Sequence, residues 1–194
     1  MRFPETLRTP RLTLRPLTDN DLPVLVREIG RWEVARWLIS VPHPYTEAHG
    51  RGWLEVQRAR RRSFTLLHYA VVPDGWREMA GAIALDLDRA DGAGQGEENG
   101  AEMGYWLAPA AWGRGYGTEM VRAMLACAFG PVGLDHVQAA ADPENHASNA
   151  VLRKAGLVLE RVDPLHSRGL RGDPGPANIH RITRARFEAL HEPA

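Results

Sequence analysis

Lysine is nearly missing from this chain: of 24 basic residues only Lys154 is one, a skew that by itself assigns no function. Cysteine is as scarce. The single Cys127 excludes an internal disulfide framework and most cysteine-ligated metal sites. Net charge is zero, with 24 acidic residues against 24 basic ones, so overall charge favours no polyanion and no nucleic-acid partner is expected. No apolar run reaches the roughly 18 residues of a membrane span. Met1-Arg-Phe-Pro-Glu5 has no apolar signal core, and the expectation is a soluble cytoplasmic protein without a membrane partner. The eight histidines are scattered without metal-ligand spacing, so no metal is expected.

What is present suits one domain. A chain of 194 residues with 44% apolar and 25% charged residues can bury a substantial core, and residues 1–194 are read as a single unit. Arg11–Leu17 alternates as a half-buried strand. Thr18 or Asp19 then caps a helix through Leu22, Leu25, Val26 and Ile29. Thr46 caps a second helix, with Trp53, Leu54 and Val56 facing inward and a solvated basic tail. Residues 64–72 and 79–87 form a hairpin around Pro73-Asp-Gly75. Residues 88–100, rich in Gly, Asp and Glu, are expected to be a solvent loop. A strand at 102–107 leads through a glycine-rich loop into a helix whose stripe is Met120, Val121, Met124, Leu125 and Ala128. Cys127 falls in that segment and reads as a small core residue. Further strands are expected at 134–141, 157–162 and 179–185, with a short helix at 147–155 ending on Gly156 and a loop over 163–177. The order describes a mixed, mostly antiparallel α/β sheet of about seven strands with helices on both faces.

The run Glu102-Met-Gly-Tyr-Trp-Leu-Ala-Pro-Ala-Ala-Trp-Gly-Arg-Gly-Tyr-Gly-Thr118 carries the functional signal. Gly113, Gly115 and Gly117 let the backbone approach a ligand closely, and the helix that follows adds unpaired N–H groups and its positive dipole end. These are the ingredients of a phosphate cradle. The lysine-dependent nucleotide loop is ruled out by the absence of a lysine nearby. The dinucleotide pattern is ruled out by the glycine spacing and by the position after an antiparallel hairpin. The pyrophosphate of coenzyme A is the third possibility.

Residues 104–119, followed by Asn145-His-Ala-Ser-Asn-Ala-Val-Leu-Arg-Lys-Ala-Gly-Leu157, resemble the GCN5-related N-acetyltransferases, and within them the Rim-type branch that acetylates ribosomal-protein N-termini. The resemblance covers residues 6–190 and includes Thr9-Pro-Arg-Leu-Thr-Leu-Arg-Pro16. It implies an acetyl-CoA-dependent N-acetyltransferase that joins acetyl to a primary amine, a protein N-terminus or a small molecule, by direct attack in a ternary complex. It also implies that Gly113, Arg114, Gly115, Tyr116, Gly117 and Thr118 hold the pyrophosphate, with Trp112 at the first position of the cofactor-binding loop. The strand end Tyr105-Trp106-Leu107 would pair its backbone with the pantetheine arm, and the strand at 134–141 would splay from that at 102–107 to admit it. Asn145 would contact the cofactor or cap its own helix.

Acetyl transfer to an amine needs a proton acceptor for the ammonium and a proton donor for the departing thiolate. Glu102 is the candidate base, its structural alternative being an exposed strand glutamate. Many relatives protonate the thiolate with a tyrosine, and Leu152 stands at that position here. Rim-type relatives imply Ser148 instead, whose alternative is a first-turn residue satisfying backbone donors. His43 and His166 fall in loops that border the acceptor groove in this family. A different class stays open: a CoA-binding sensor or interaction module with little catalysis. Exposed tryptophans would point to a homodimer surface.

Overall fold

The computed structural model describes residues 3–38, 41–89, 99–166 and 174–191. One sheet has the strand order β1-β2-β3-β4-β5-β6-β8-β7. Its members are β1 (Leu7–Arg8), β2 (Leu12–Arg15), β3 (Leu66–Pro73), β4 (Gly81–Asp86), β5 (Gly100–Leu107), β6 (His136–Ala141), β7 (Val158–His166) and β8 (Gly175–Thr183). Every neighbouring pair is antiparallel except β5 with β6. The eighth strand is the two-residue β1, which pairs with Leu14 and Thr13 and is too short to show a period in the sequence.

Helices cover both faces, as the alternation of side chains on each strand requires. Leu67, Tyr69 and Val71 of β3 and Ala101 and Met103 of β5 meet α4 (Tyr116–Cys127) and α5 (His146–Lys154) in the larger core. Ala70 on the opposite face meets α1 (Leu22–Ile29) and α3 (Glu47–Arg62). The expected stripe of α4 is buried throughout, and burial pushes the Cys127 thiol up to about 11, so this residue is core. Thr46 caps α3, accepting the His49 N–H. Asp21 is held by both terminal nitrogens of Arg15 (2.7 and 2.8 Å) and by the Thr18 N–H (2.8 Å), which fixes the entry to α1.

Three expectations need correction, and one helix was not expected. Val56 points to solvent, 52% exposed, because Leu54 takes the inward position on α3. A short helix, α2 (Trp32–Ala35), follows α1, where no element was expected. Of the expected loop at 163–177, the described residues are mostly strand: β7 runs to His166 and β8 starts at Gly175, paired despite Pro164 and Pro176 because both lie at a strand irregularity or end. The last strand stops at Thr183, whose hydroxyl accepts the Arg186 N–H and starts α6 (Arg184–Ala189). Most of the expected solvent loop, residues 90–98, lies outside the described residues, as do residues 167–173.

The feature that matters for function is where β5 leaves β6. Pairing covers only Gly100–His136, Ala101–Val137 and Glu102–Gln138. Beyond Glu102 the edge of β5 loses its partner, while β4 still pairs with it through Leu107.

Candidate active site

The split opens into a cavity of about 810 Å³. Its walls come from β5 beyond Glu102, the glycine loop, the end of β6, the first turns of α5, the segment after α2 and the β7–β8 hairpin. Gly104, in the middle of β5, is exposed there, and a Cβ added to it would meet no atom within 4 Å.

The glycine loop is shaped for an anion. Gly113 and Gly115 adopt φ of +72° and +80°, a region that favours glycine, and Gly113 has open space where a side chain would begin. Gly115 is the N-cap of α4 and no side chain caps the helix. The Glu119 N–H bonds to the Gly115 carbonyl, so the N–H groups of Tyr116, Gly117 and Thr118 point out of the helix end. Trp112 ties the loop to the strand, its Nε1 donating to the Leu107 carbonyl at 2.8 Å. Arg114 turns away from the cavity wall, its Nε donating to Ala110. Open backbone at Gly113 and Gly104 and unpaired N–H groups at the helix end fit the phosphates and thioester arm of coenzyme A.

Arg11, within the opening block of the sequence, braces this loop. Its guanidinium donates to Glu119 (Nε to Oε2, 2.8 Å) and to the Arg114 carbonyl (3.0 Å), and lies over the Tyr116 ring. Thr9 adds a 2.6 Å bond to Glu119. Burial works to raise the Glu119 carboxyl, but the bonds from Thr9 and Arg11 outweigh it and hold it below the ordinary range. The brace neutralises an acidic group in the first helical turn, where an incoming phosphate would otherwise meet its charge.

The first turn of α5 forms another wall. The Asn145 side chain caps the helix, accepting the Ser148 N–H at 3.1 Å. The Ser148 hydroxyl lies 2.9 Å from that of Tyr105, so it does not spend itself on the helix backbone. Burial pushes the Tyr105 phenol up to about 12, and it stays protonated through the neutral range. Asn149 locks this turn. Its amide donates to the carbonyls of Asp142 (2.9 Å) and Asn145 (2.8 Å), while its oxygen accepts from Asn178 and His180, each at 2.9 Å.

Trp106, Leu107, Trp112, Gly113, Gly115, Tyr116, Gly117, Thr118, Asn145 and Ser148 all line the one cavity. Arg114 and Glu102 do not. Glu102 occupies the last paired rung, opposite Asp86 and Gln138, half-buried at the foot of the split. His43 stacks near the exposed Trp32 instead of reaching the cavity, whereas His166 lines it. Sequence reasoning missed the Arg11 brace, the Tyr105 partner of Ser148 and the Asn149 lock. Arg11 and Asn149 stood inside quoted motifs, but their partners are 108 and 31 residues away.

Comparison with known proteins bears on the same residues. The model of the acetyltransferase (GNAT) domain matches residues 11–158. The uncharacterised N-acetyltransferase p20 of Bacillus licheniformis is 27% identical over 158 residues, 80% of this chain and 84% of that one. Mycobacterium smegmatis RimJ in complex with CoA-disulfide superposes with a TM-score of 0.77 at 22% identity, over 95% of this chain and 92% of that one. RimL, a ribosomal L7/L12 alpha-N-protein acetyltransferase in complex with coenzyme A, gives 0.75 at 20%, over 92% and 98%. At those identities the two structures share the fold with this chain.

Proposed function

The chain belongs to the acetyltransferase (GNAT) domain family, and from that premise we propose that it moves acetyl from acetyl-CoA to a primary amine in the cytoplasm, both substrates bound together. The acetyltransferase activity follows from the family; the donor, the amine and the roles of residues are the proposal. The observation that carries it is the split between β5 and β6 beyond Glu102, bounded by the glycine loop and by Ser148.

Acetyl-CoA supplies an activated acyl group on a thiol leaving group. The N–H groups of residues 113–118 would hold its pyrophosphate, with the α4 dipole adding attraction. Unpartnered backbone along β5 from Met103 to Leu107 would pair with the pantetheine amides, as a strand would. Ser148 would donate its hydroxyl proton to the leaving sulfur and recover it from Tyr105 or solvent. Glu102 lies a rung below the cavity, so as a base it would act through a water in the gap. The amine is a protein N-terminus or a small amine. The RimL likeness supports the first, since that protein acts on an N-terminus.

A second reading is a CoA-binding module with little turnover. It is favoured by Leu152, fully buried where many relatives carry the acid tyrosine. Release of free thiol from acetyl-CoA, followed with peptides and small amines as acceptors, separates the two. Turnover with any amine supports the enzyme; saturable CoA binding without thiol release on any of them supports the module.

A further inference from the structure

The β7–β8 hairpin brings to the cavity a side-chain pair that the reaction above leaves unused. His166 lines the cavity together with Gly175 and Ala177 of β8 and with Arg36 and Trp37 after α2. Its Nδ1 lies 3.2 Å from Asp163 Oδ2, and the other Asp163 oxygen accepts the Leu165 N–H at 3.1 Å. Register slips here: Asp163 faces Ala177 while His166 faces Gly175, so β7 carries one extra residue. A bulge of this kind breaks the alternation of a strand and re-aims its side chains. The turn at Leu165 fixes the carboxylate, and the carboxylate fixes the imidazole with its proton on Nδ1. Nε2 then keeps its lone pair, and among the described residues it has no partner. The Asp163 carboxyl sits below the usual range, held there first by the Leu165 N–H, so it stays an anion at neutral pH.

We propose that His166 is the base that takes the proton from the acceptor's ammonium, with Asp163 as its positioning residue; this rests on the acetyl-transfer reading. The other charged or titratable groups on the cavity walls are Arg36, Asp142, Glu144, His146 and Lys154, beside Tyr105 and Tyr116. The cations and phenols are no bases at neutral pH, and a carboxylate is a weak one against an ammonium, whereas imidazole is matched to the task. His146 is exposed and has no carboxylate to orient it among the described residues. The step balances. One proton of R–NH3+ passes to Nε2, and the freed amine pair forms the N–C bond to the acetyl carbon. The C–S bond breaks, the second proton of the nitrogen ends on the sulfur by way of Ser148, and His166 releases its proton to water.

The test follows thiol release from acetyl-CoA at pH 5.5 to 9.5 with a serine-initiated tetrapeptide amide, spermidine, or hydroxylamine, which is already uncharged at neutral pH. Wild type should level off near neutrality with the ionised acceptors. His166→Asn should be slower by about a hundredfold at pH 7 and keep rising about tenfold per pH unit until the acceptor's own amine titrates. Its acetyl-CoA affinity should stay within twofold of wild type, which also reports a folded donor site. Hydroxylamine should be used by both proteins at similar rates, and Asp163→Asn should resemble His166→Asn. An unchanged profile in His166→Asn, or a plateau that vanishes only in Glu102→Gln, overturns the proposal and leaves acetyl transfer standing. Wild type that releases no thiol with any of the three acceptors overturns both.

Discussion

Tyr105 and Ser148 share one hydrogen bond, and its direction decides what each can do. The phenol keeps its proton into the alkaline range, and either hydroxyl can donate in this pair; with the phenol as donor, the serine hydroxyl is free to protonate a thiolate. Ser148→Ala should therefore lower kcat by about a hundredfold, with acetyl-CoA KM little changed. Tyr105→Phe should cost less, about tenfold, because solvent can replace the second donor. Steady-state kinetics on both variants checks the order; a Tyr105→Phe defect larger than that of Ser148→Ala would reverse the roles. If Glu102 were the base in place of His166, Glu102→Gln would lower turnover more than acetyl-CoA affinity and shift the pH–rate profile; with His166 as the base, the Glu102→Gln profile should match wild type. The glycine run marked the loop at Gly113, whereas Ser148 came only from the resemblance. Tyr105 as its partner was not legible, since a strand residue's hydroxyl partner depends on how α5 is seated.

Between strand and helix, the glycine loop depends on a brace from β2's end of the chain. Arg11→Ala leaves Glu119 anionic beside the donor phosphates, and coenzyme A affinity should fall by about tenfold, or about 1.4 kcal/mol. Adding Glu119→Gln should recover most of it; calorimetric titration of both variants is the check, and no recovery would mean that Arg11 acts through loop geometry alone. The glycines differ in kind. Gly117 is buried, and a Cβ there would come within 3.0 Å of Val151, so a β-branched residue strains the packing of α4 on α5 as well as the cradle. Gly104→Val meets no such contact and should block the gap while the melting temperature holds. Loss of turnover with an intact melt supports the path; unimpaired turnover would move it elsewhere. Helices α1, α3, α4 and α5 were legible from apolar stripes and caps. Helix α2, β1 and the strand character of 163–166 and 175–177 were not, because each is held by neighbours and not by its own pattern.

Across the molecule, two cores on opposite faces of one sheet hold the split open, and one buried group links their stability to acid. His68 on β3 sits beneath α3, bonded to Gln57 at 2.8 Å and edge-on to Trp53. Burial, aided by the Arg61 cation, pushes it down to about 3. The native state refuses a proton that the unfolded chain accepts near pH 6.5, so stability is full above that value and declines as pH falls toward about 3. The slope from this residue approaches about 1.4 kcal/mol per pH unit. Urea unfolding at pH 7 and pH 5 should show it, and His68→Gln should flatten the difference; an equal difference in the variant would assign the acid sensitivity to other groups. That the strands at 102–107 and 134–141 would splay came from the resemblance, whereas the point of parting after Glu102 and the register could come only from the folded chain.

A crystal structure with coenzyme A bound tests the donor site itself. The expected result has the pyrophosphate on the N–H groups of residues 113–118, the pantetheine lying along Met103–Leu107 in the gap, and the sulfur within hydrogen-bonding reach of Ser148 Oγ. Coenzyme A bound outside the split, or a sulfur remote from Ser148, would contradict it.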